Sequence, residues 1–205
     1  MVRASRPELK EAIIRVSVEL GSQLGEEGLT MRAIAKRLGI SATALYQHFD
    51  SKAAILQEIR LYGLRLVQDE IINPVAKIDD PIDRLREWGM SHIRFALSHR
   101  WLYGVIMESE QLNFAEMNED ELRSVVQPIT DLRGWLREGR ERGSIGDHVD
   151  PDMCALRLIA TIHGLSSLLL AGRLDEDHPA APIRDLSAFI NEFVESMICP
   201  LRPEC

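Results

Sequence analysis

Along nearly the whole chain, apolar residues return every third or fourth position, the period of amphipathic helices. From about Pro7 to Leu24, residues Leu9, Ile13, Val16, Leu20 and Leu24 share one face. Pro7 suits a first helical turn, and Gly25 and Gly28 break the pattern. Thr30 is placed to cap a short second helix that turns Ile34, Ala35 and Leu38 inward. In "LGIS", Gly39 can take positive φ, and Ser41 can cap a third helix running roughly from Ala42 to Phe49. Asp50 or Ser51 starts a long fourth helix with Ile55, Ile59, Tyr62 and Leu66 inward, broken by Pro74. Further helices follow: one after Asp80-Pro81, a short apolar one in "RWLYGVIMES", and one over about Asp120 to Arg142 that ends at Gly143. Another starts at Asp150-Pro151 and ends at Gly172, and the last covers about Ile183 to Ile198. The polar stretch "EQLNFAEMNEDE" reads as partly loop. No segment alternates β-branched and polar residues between turn signals. The expected fold class is therefore all-α, with about nine helices: three short N-terminal ones ahead of a bundle of longer ones.

Composition changes this picture little, but charge does. The chain has 205 residues, 45% hydrophobic and 27% charged, with a net charge of −8. Those values fit an ordinary globular protein and argue against a surface coated with positive charge for nucleic acid. The first 60 residues carry nine Lys/Arg against seven Asp/Glu, while the remainder carries 15 against 25. Only the N-terminal quarter can approach a polyanion that the rest repels. Cys154, Cys199 and Cys205 have no CxxC spacing and leave one over, which reads as reduced thiols. The N-terminus lacks the apolar run of a signal peptide, and the longest apolar run, near "LSSLLLAG", is too short for a bilayer. A cytoplasmic protein with no membrane partner is the expectation.

The segment "MRAIAKRLGISATALYQHF" joins two short helices through a glycine turn, with Ile34, Leu38, Ile40 and Leu45 spaced to close a small core. That is the layout of a helix-turn-helix, although the spacing alone also fits a plain αα-hairpin. The outward side of the third helix separates the two. Leu45 and Phe49 point inward, leaving Ala42, Thr43, Tyr46 and Gln47 outward and His48 at the edge. A solvated face normally carries Lys and Glu; this one has small side chains and hydrogen-bonding tips. Small residues let a backbone approach base edges, Gln can pair with adenine, and a phenol suits a phosphate oxygen. Lys52 lies in the first turn of the next helix, where the dipole disfavours a cation unless an anion joins it.

The residues Leu29-Thr30, Ile34-Ala35, Leu38-Gly39-Ile40-Ser41, Leu45-Tyr46, His48-Phe49 and Ser51-Lys52 together resemble the N-terminal signature of the TetR family of bacterial transcriptional regulators. The resemblance covers roughly residues 7–58. "FALSHRWLYGVIM" and "IATIHGLSSLLLAGRL" are more loosely similar to segments of the family's C-terminal domains. It implies an all-α homodimer with a helix-turn-helix head at residues 1–50. Residues 51–205 would form a helical domain for ligand binding and dimerisation. It also implies DNA-contacting roles for Thr30, Arg32, Ser41, Ala42, Thr43, Tyr46, Gln47, His48 and Lys52. Among these, Thr30, Tyr46 and Lys52 match phosphate contacts, and Thr43 and Gln47 match base-reading positions. The turn "GEEGLT" departs from the family, placing Glu26 and Glu27 near where GY or GF often sits.

Elsewhere the residues offer several readings. Aromatic and Met residues in the middle helices read mainly as core. Trp88, His92, Phe95, Met107, Phe114 and Trp135 are the candidates for lining a cavity that takes an apolar or amphipathic effector. The last two helices are apolar on more than one face: Leu156, Ile159, Ala160, His163, Gly164, Ser167 and Leu168 on one, and Phe189, Ile190, Phe193 and Met197 on the other. With the resemblance, they predict a two-fold, four-helix dimer interface. Capping and solvation account for the cluster Asp147, His148, Asp150 and Asp152, so no metal is expected, and no cofactor. No GxSxG, P-loop or GxGxxG motif points to an enzyme. The expected protein is a ligand-responsive regulator, most often a repressor in this family, acting on a pseudo-palindromic operator in double-stranded DNA. The alternative is a DNA-bound interaction protein controlled by a protein partner, with no small ligand.

Overall fold

A computed structural model describes residues 6–107, 115, 117–179 and 183–203. The described residues are all-helical. Nine α-helices are α1 (Arg6–Gly28), α2 (Met31–Leu38), α3 (Ala42–Tyr46), α4 (Lys52–Val67), α5 (Pro81–Ser98), α6 (Arg100–Met107), α7 (Glu119–Glu141), α8 (Pro151–Leu170) and α9 (Leu186–Ile198). A π-helical turn, Gln68–Ile72, and one further turn through Pro74 follow α4. A 3₁₀ turn, Cys199–Leu201, follows α9. Two compact units divide the chain: Met1–Arg65 with His99–Met117, and Leu66–Ser98 with Asn118–Cys205.

In the first unit, α1 packs on both α2 and α6. Ile13, Leu20, Leu29, Ile34, Leu45, Phe49, Ile55 and Ile59 form its core. The regular part of α1 stops where Gly25 takes φ 70°, a conformation that only glycine adopts without strain. Leu24, expected inward, is 57% exposed, because the helix breaks there before its last turn reaches the core. Two glycines permit close helix contacts. A Cβ on Gly21 would lie 2.3 Å from the Trp101 ring, and one on Gly63 would lie 2.6 Å from Ile106. The second contact explains why α4 buries Leu61 and Gly63 while Tyr62 and Leu66 stay half-buried.

In the second unit, α5 packs against α7, α8 and α9. Its buried cation, Arg84, donates to the carbonyls of Ile78 (2.7 Å) and Asp79 (3.2 Å) and pairs with Glu138 of α7. Burying a guanidinium is tolerable only with such satisfaction. The pairing holds the Glu138 carboxyl below its ordinary range. Asn118 and Glu121 form a capping box at the start of α7. Asp150 caps α8, with Pro151 in its first turn. The last helix starts at Leu186 instead of Ile183, because the Asp185 carboxylate accepts from the Ala188 amide at 2.9 Å and fixes the N-terminus there.

Two substitutions separate a steric glycine from an incidental one. Gly21→Ala should cost about 1–3 kcal/mol through overpacking against Trp101. Gly134→Ala on α7, where a Cβ meets nothing within 4 Å, should stabilise by about 0.5–1 kcal/mol. Urea unfolding of the two variants beside the parent protein measures both.

Candidate nucleic-acid interface

Helix α3 is five residues long, too short to persist alone in water. It is held by its ends and by what lies under it. Thr30 caps α2, its Oγ1 accepting from the Ala33 amide at 3.1 Å. Gly39, at φ 68° and ψ 28°, ends α2 in the left-handed conformation, and the Ile40 amide donates back to Ala35 at 3.0 Å. Ser41 then caps α3, its Oγ accepting from the Ala44 amide at 3.1 Å. The helix stops at Tyr46, earlier than the expected Phe49. There the chain tightens, with both the His48 and Phe49 amides donating to the Leu45 carbonyl. Beneath it, Leu45 is fully buried and Phe49 nearly so. The Lys10 ammonium lies 5.8 Å from the Phe49 ring centroid and pairs with Glu58.

Burial follows the expected division. Ala42, Thr43 and Gln47 are exposed, Tyr46 is 51% exposed, and His48 is half-buried. Thr30, Arg32 and Ser41 are exposed too. A hydroxyl that accepts as a cap keeps its own proton, so Thr30 and Ser41 can each still donate to an anion. Lys52 is where sequence reasoning was incomplete. Its Nζ donates to the Glu26 carbonyl at 2.6 Å and lies 3.7 Å from Glu26 Oε1. The "GEEGLT" turn was noticeable in the sequence, but the fold that brings it to Lys52 was not. The caps Ser51 (on Ala54, 3.2 Å) and Asp80 (on Ile82 and Asp83, both 2.9 Å) stand where expected.

The effector candidates separate. In the second unit Trp88, Phe95 and Trp135 are buried, and the Arg84 guanidinium lies 5.9 Å from the Trp135 ring centroid. His92 is half-buried, with Nδ1 3.2 Å from the Trp88 carbonyl and its ring centroid 4.5 Å from that of Trp88. The carbonyl can only accept, so Nδ1 carries the proton and Nε2 is an acceptor. Phe95 also borders a polar groove of about 150 Å³ with Glu70, Ile71, Ser91, Arg94 and Ser98. Met107 is in the other unit and exposed, and Phe114 lies outside the described residues. In the Asp147 to Asp152 segment, His148 Nε2 donates to the Pro200 carbonyl at 3.0 Å, and Asp152 pairs with Arg133 and Arg137.

Helices α8 and α9 keep apolar surface. Leu156 and Leu168 are each 47% exposed, and Ala160 and Gly164 are exposed. Ile159, His163, Ser167, Phe189, Phe193 and Met197 are half-buried. A Cβ on Gly164 would meet nothing within 4 Å, so packing within the protomer does not require a glycine there. Ile190 is 8% exposed and lies in the chain's own core with Val194 and Ile198, on the side of α9 that packs inward. Helix α8 is 20 residues, and its most apolar 18-residue stretch has a mean hydropathy of 1.6, long and apolar enough to cross a membrane. The expectation from the run "LSSLLLAG" overlooked this, because Arg157 and scattered polar residues interrupt the run but not the average. Burying one apolar face while exposing another accounts for that average in a helical bundle.

Comparison with known proteins places this geometry. Residues 13–59 match the family model described as bacterial regulatory proteins, tetR family. The tetracycline repressor protein class C of Escherichia coli is 48% identical over 50 residues, 24% of this chain and 23% of that protein. The chain therefore spans about a quarter of that relative. The nucleoid occlusion factor SlmA of Photobacterium profundum is 29% identical over 168 residues, 78% of this chain and 80% of that one. The solved structure of AibR in complex with isovaleryl coenzyme A and operator DNA shares the fold. Its TM-score is 0.65 at 20% identity, covering 95% of this chain and 98% of that one.

Burial lowers the His92 imidazole from 6.5 to about 4. A group depressed in the folded state is protonated first in the unfolded one. Its contribution is thus complete above pH 6.5 and is lost as pH falls toward 4. The loss is at most on the order of 3 kcal/mol, and less where water reaches the half-buried ring. Urea unfolding at pH 7 and pH 4.5 should show a smaller acid-induced drop for His92→Phe than for the parent protein.

Proposed function

We propose that this chain, a member of the TetR family of bacterial regulatory proteins and a DNA-binding regulator, is ligand-responsive and acts as a repressor on a pseudo-palindromic operator. Residues 1–50 form its DNA-binding domain, and 51–205 its effector-binding and dimerisation domain, in the cytoplasm. The observation that carries this reading is the outward side of α3: Ala42, Thr43, Tyr46 and Gln47 stand exposed with no charged residue among them, over a buried Leu45. Such a face suits base edges better than bulk water. Thr30, Ser41, Tyr46, His48 and Lys52 hold the phosphate backbone, and Arg32, Ala42, Thr43 and Gln47 face the bases.

Two copies associate through the exposed sides of α8 and α9, setting two α3 helices about 34–36 Å apart, one turn of DNA. The effector is an apolar or amphipathic molecule, held within the second unit by Trp88, His92, Phe95 and Trp135. Isovaleryl coenzyme A, named with the AibR structure, is amphipathic in this sense. The effector shifts the equilibrium only as far as it prefers the state that does not bind DNA. A second reading keeps DNA binding and replaces the effector with a protein partner. It is favoured by the relatives whose similarity runs through the body, which are named nucleoid occlusion factors.

DNase footprinting over the promoters nearest its gene tests the interface. Tyr46→Ala should weaken binding to all sequences alike. Thr43 and Gln47 substitutions should shift preference between sequences by about 1–3 kcal/mol for a good bidentate contact. If neither class changes protection, α3 is not the reading element. Light scattering tests assembly: the parent protein should have twice its 23.2 kDa chain mass. Leu168→Glu, on exposed surface, should yield a folded monomer that binds DNA weakly.

A further inference from the structure

The last residues of α1, beyond its break at Gly25, bring an acidic side chain to Lys52, and stability gives no reason for it. The Glu26 carbonyl accepts from the Leu29 amide at 3.2 Å and from Lys52 Nζ at 2.6 Å. The Glu26 carboxylate stands off at 3.7 Å, on a side chain 61% exposed against 35% for Lys52. A water-exposed ion pair of that length adds little to folding. The carbonyl tether does not depend on the residue being acidic. The negative charge of Glu26 therefore has its main effect on whatever else approaches the ammonium.

From this geometry we propose that Glu26 is an internal competitor of the DNA phosphate for Lys52, and so sets the affinity of the head downward. The inference rests on the reading of Lys52 as a phosphate contact. A phosphate oxygen would hydrogen-bond Nζ at about 2.8 Å. The arriving group would lie roughly 6–7 Å from the carboxylate, inside the Debye length at physiological salt. The carboxylate must swing away or be repelled, and either cost is subtracted from binding to any sequence. The effect acts on all DNA alike, because the phosphate carries no sequence information. It keeps Lys52 positioned by the carbonyl while lowering non-specific retention, which in a DNA-binding protein is almost wholly electrostatic.

Fluorescence anisotropy with a labelled 30-base-pair duplex of random sequence tests this, on the full chain, at low and at physiological salt. Glu26→Gln removes the charge and leaves the carbonyl and the shape. It should bind about fourfold tighter at low salt, from Coulomb repulsion at that distance near a water-exposed surface. The gain should shrink as salt rises. Glu27→Gln removes an equal charge one residue away and should gain less. In a Lys52→Ala background, Glu26→Gln should give no further gain. Equal gains for Glu26→Gln and Glu27→Gln, or a gain that persists without Lys52, overturn the competition and leave a general charge effect. If Lys52→Ala leaves affinity unchanged, the phosphate contact itself fails. If Lys52→Ala weakens binding but Glu26→Gln is neutral, only the competition fails. Circular dichroism of each variant, expected to match the parent protein, ties the differences to binding.

Discussion

A five-residue helix is a poor element by its own energetics, and the head depends on making one stand still. Nucleating a helix fixes several backbone dihedrals for a single hydrogen bond, a cost that α3 never recovers by propagation. Leu45 and Phe49 recover it instead, buried from the same side against the α1 and α2 core. Ser41 satisfies an orphan amide at the start of α3, and Gly39 permits the turn before it. Because tertiary packing supplies the stability, the outward face is released from the usual duty of carrying solubilising charge. On the proposed reading, that release leaves Thr43, Tyr46 and Gln47 available for contact with DNA.

The same separation of duties appears in the charges. The chain is acidic overall, yet its first 60 residues are slightly basic. Within that portion three of the nine cations pair with carboxylates: Lys10 with Glu58, also lying by Phe49, Arg37 with Glu19, and Lys52 with Glu26. On the proposed reading, a head that binds DNA gains from cations that are placed but not left unopposed, since phosphate attraction is the non-specific part of affinity. The body uses its charges differently. Arg84, buried and held by two carbonyls and Glu138, ties the start of α5 to α7.

Much of this was legible in the sequence, for local reasons. Thr30, Gly39, Ser41, Asp150 and Gly143 act through residues three or four positions away, so their roles follow from spacing alone. The inward pair Leu45 and Phe49 follows from helical period. What could not be read was whatever depends on distant segments meeting. The Lys52 to Glu26 contact spans 26 positions and Arg84 to Glu138 spans 54. Leu24 looked buried because its period was correct, but the break at Gly25 came first. Ile190 belongs to an apolar set on α9, which has apolar residues on two sides, and only packing decides which side faces the chain's own core. In α8, the apolar average hid a helix with one face buried and another exposed.

On the proposed reading, the face of α3, framed by the capped starts of α2 and α4, is what meets DNA. Hydrogen–deuterium exchange of the full chain, with and without a saturating duplex from its own promoter region, tests this most directly. Slowed exchange should concentrate in residues 30–32 and 41–52. Protection confined to the body, with that segment unchanged, would contradict it.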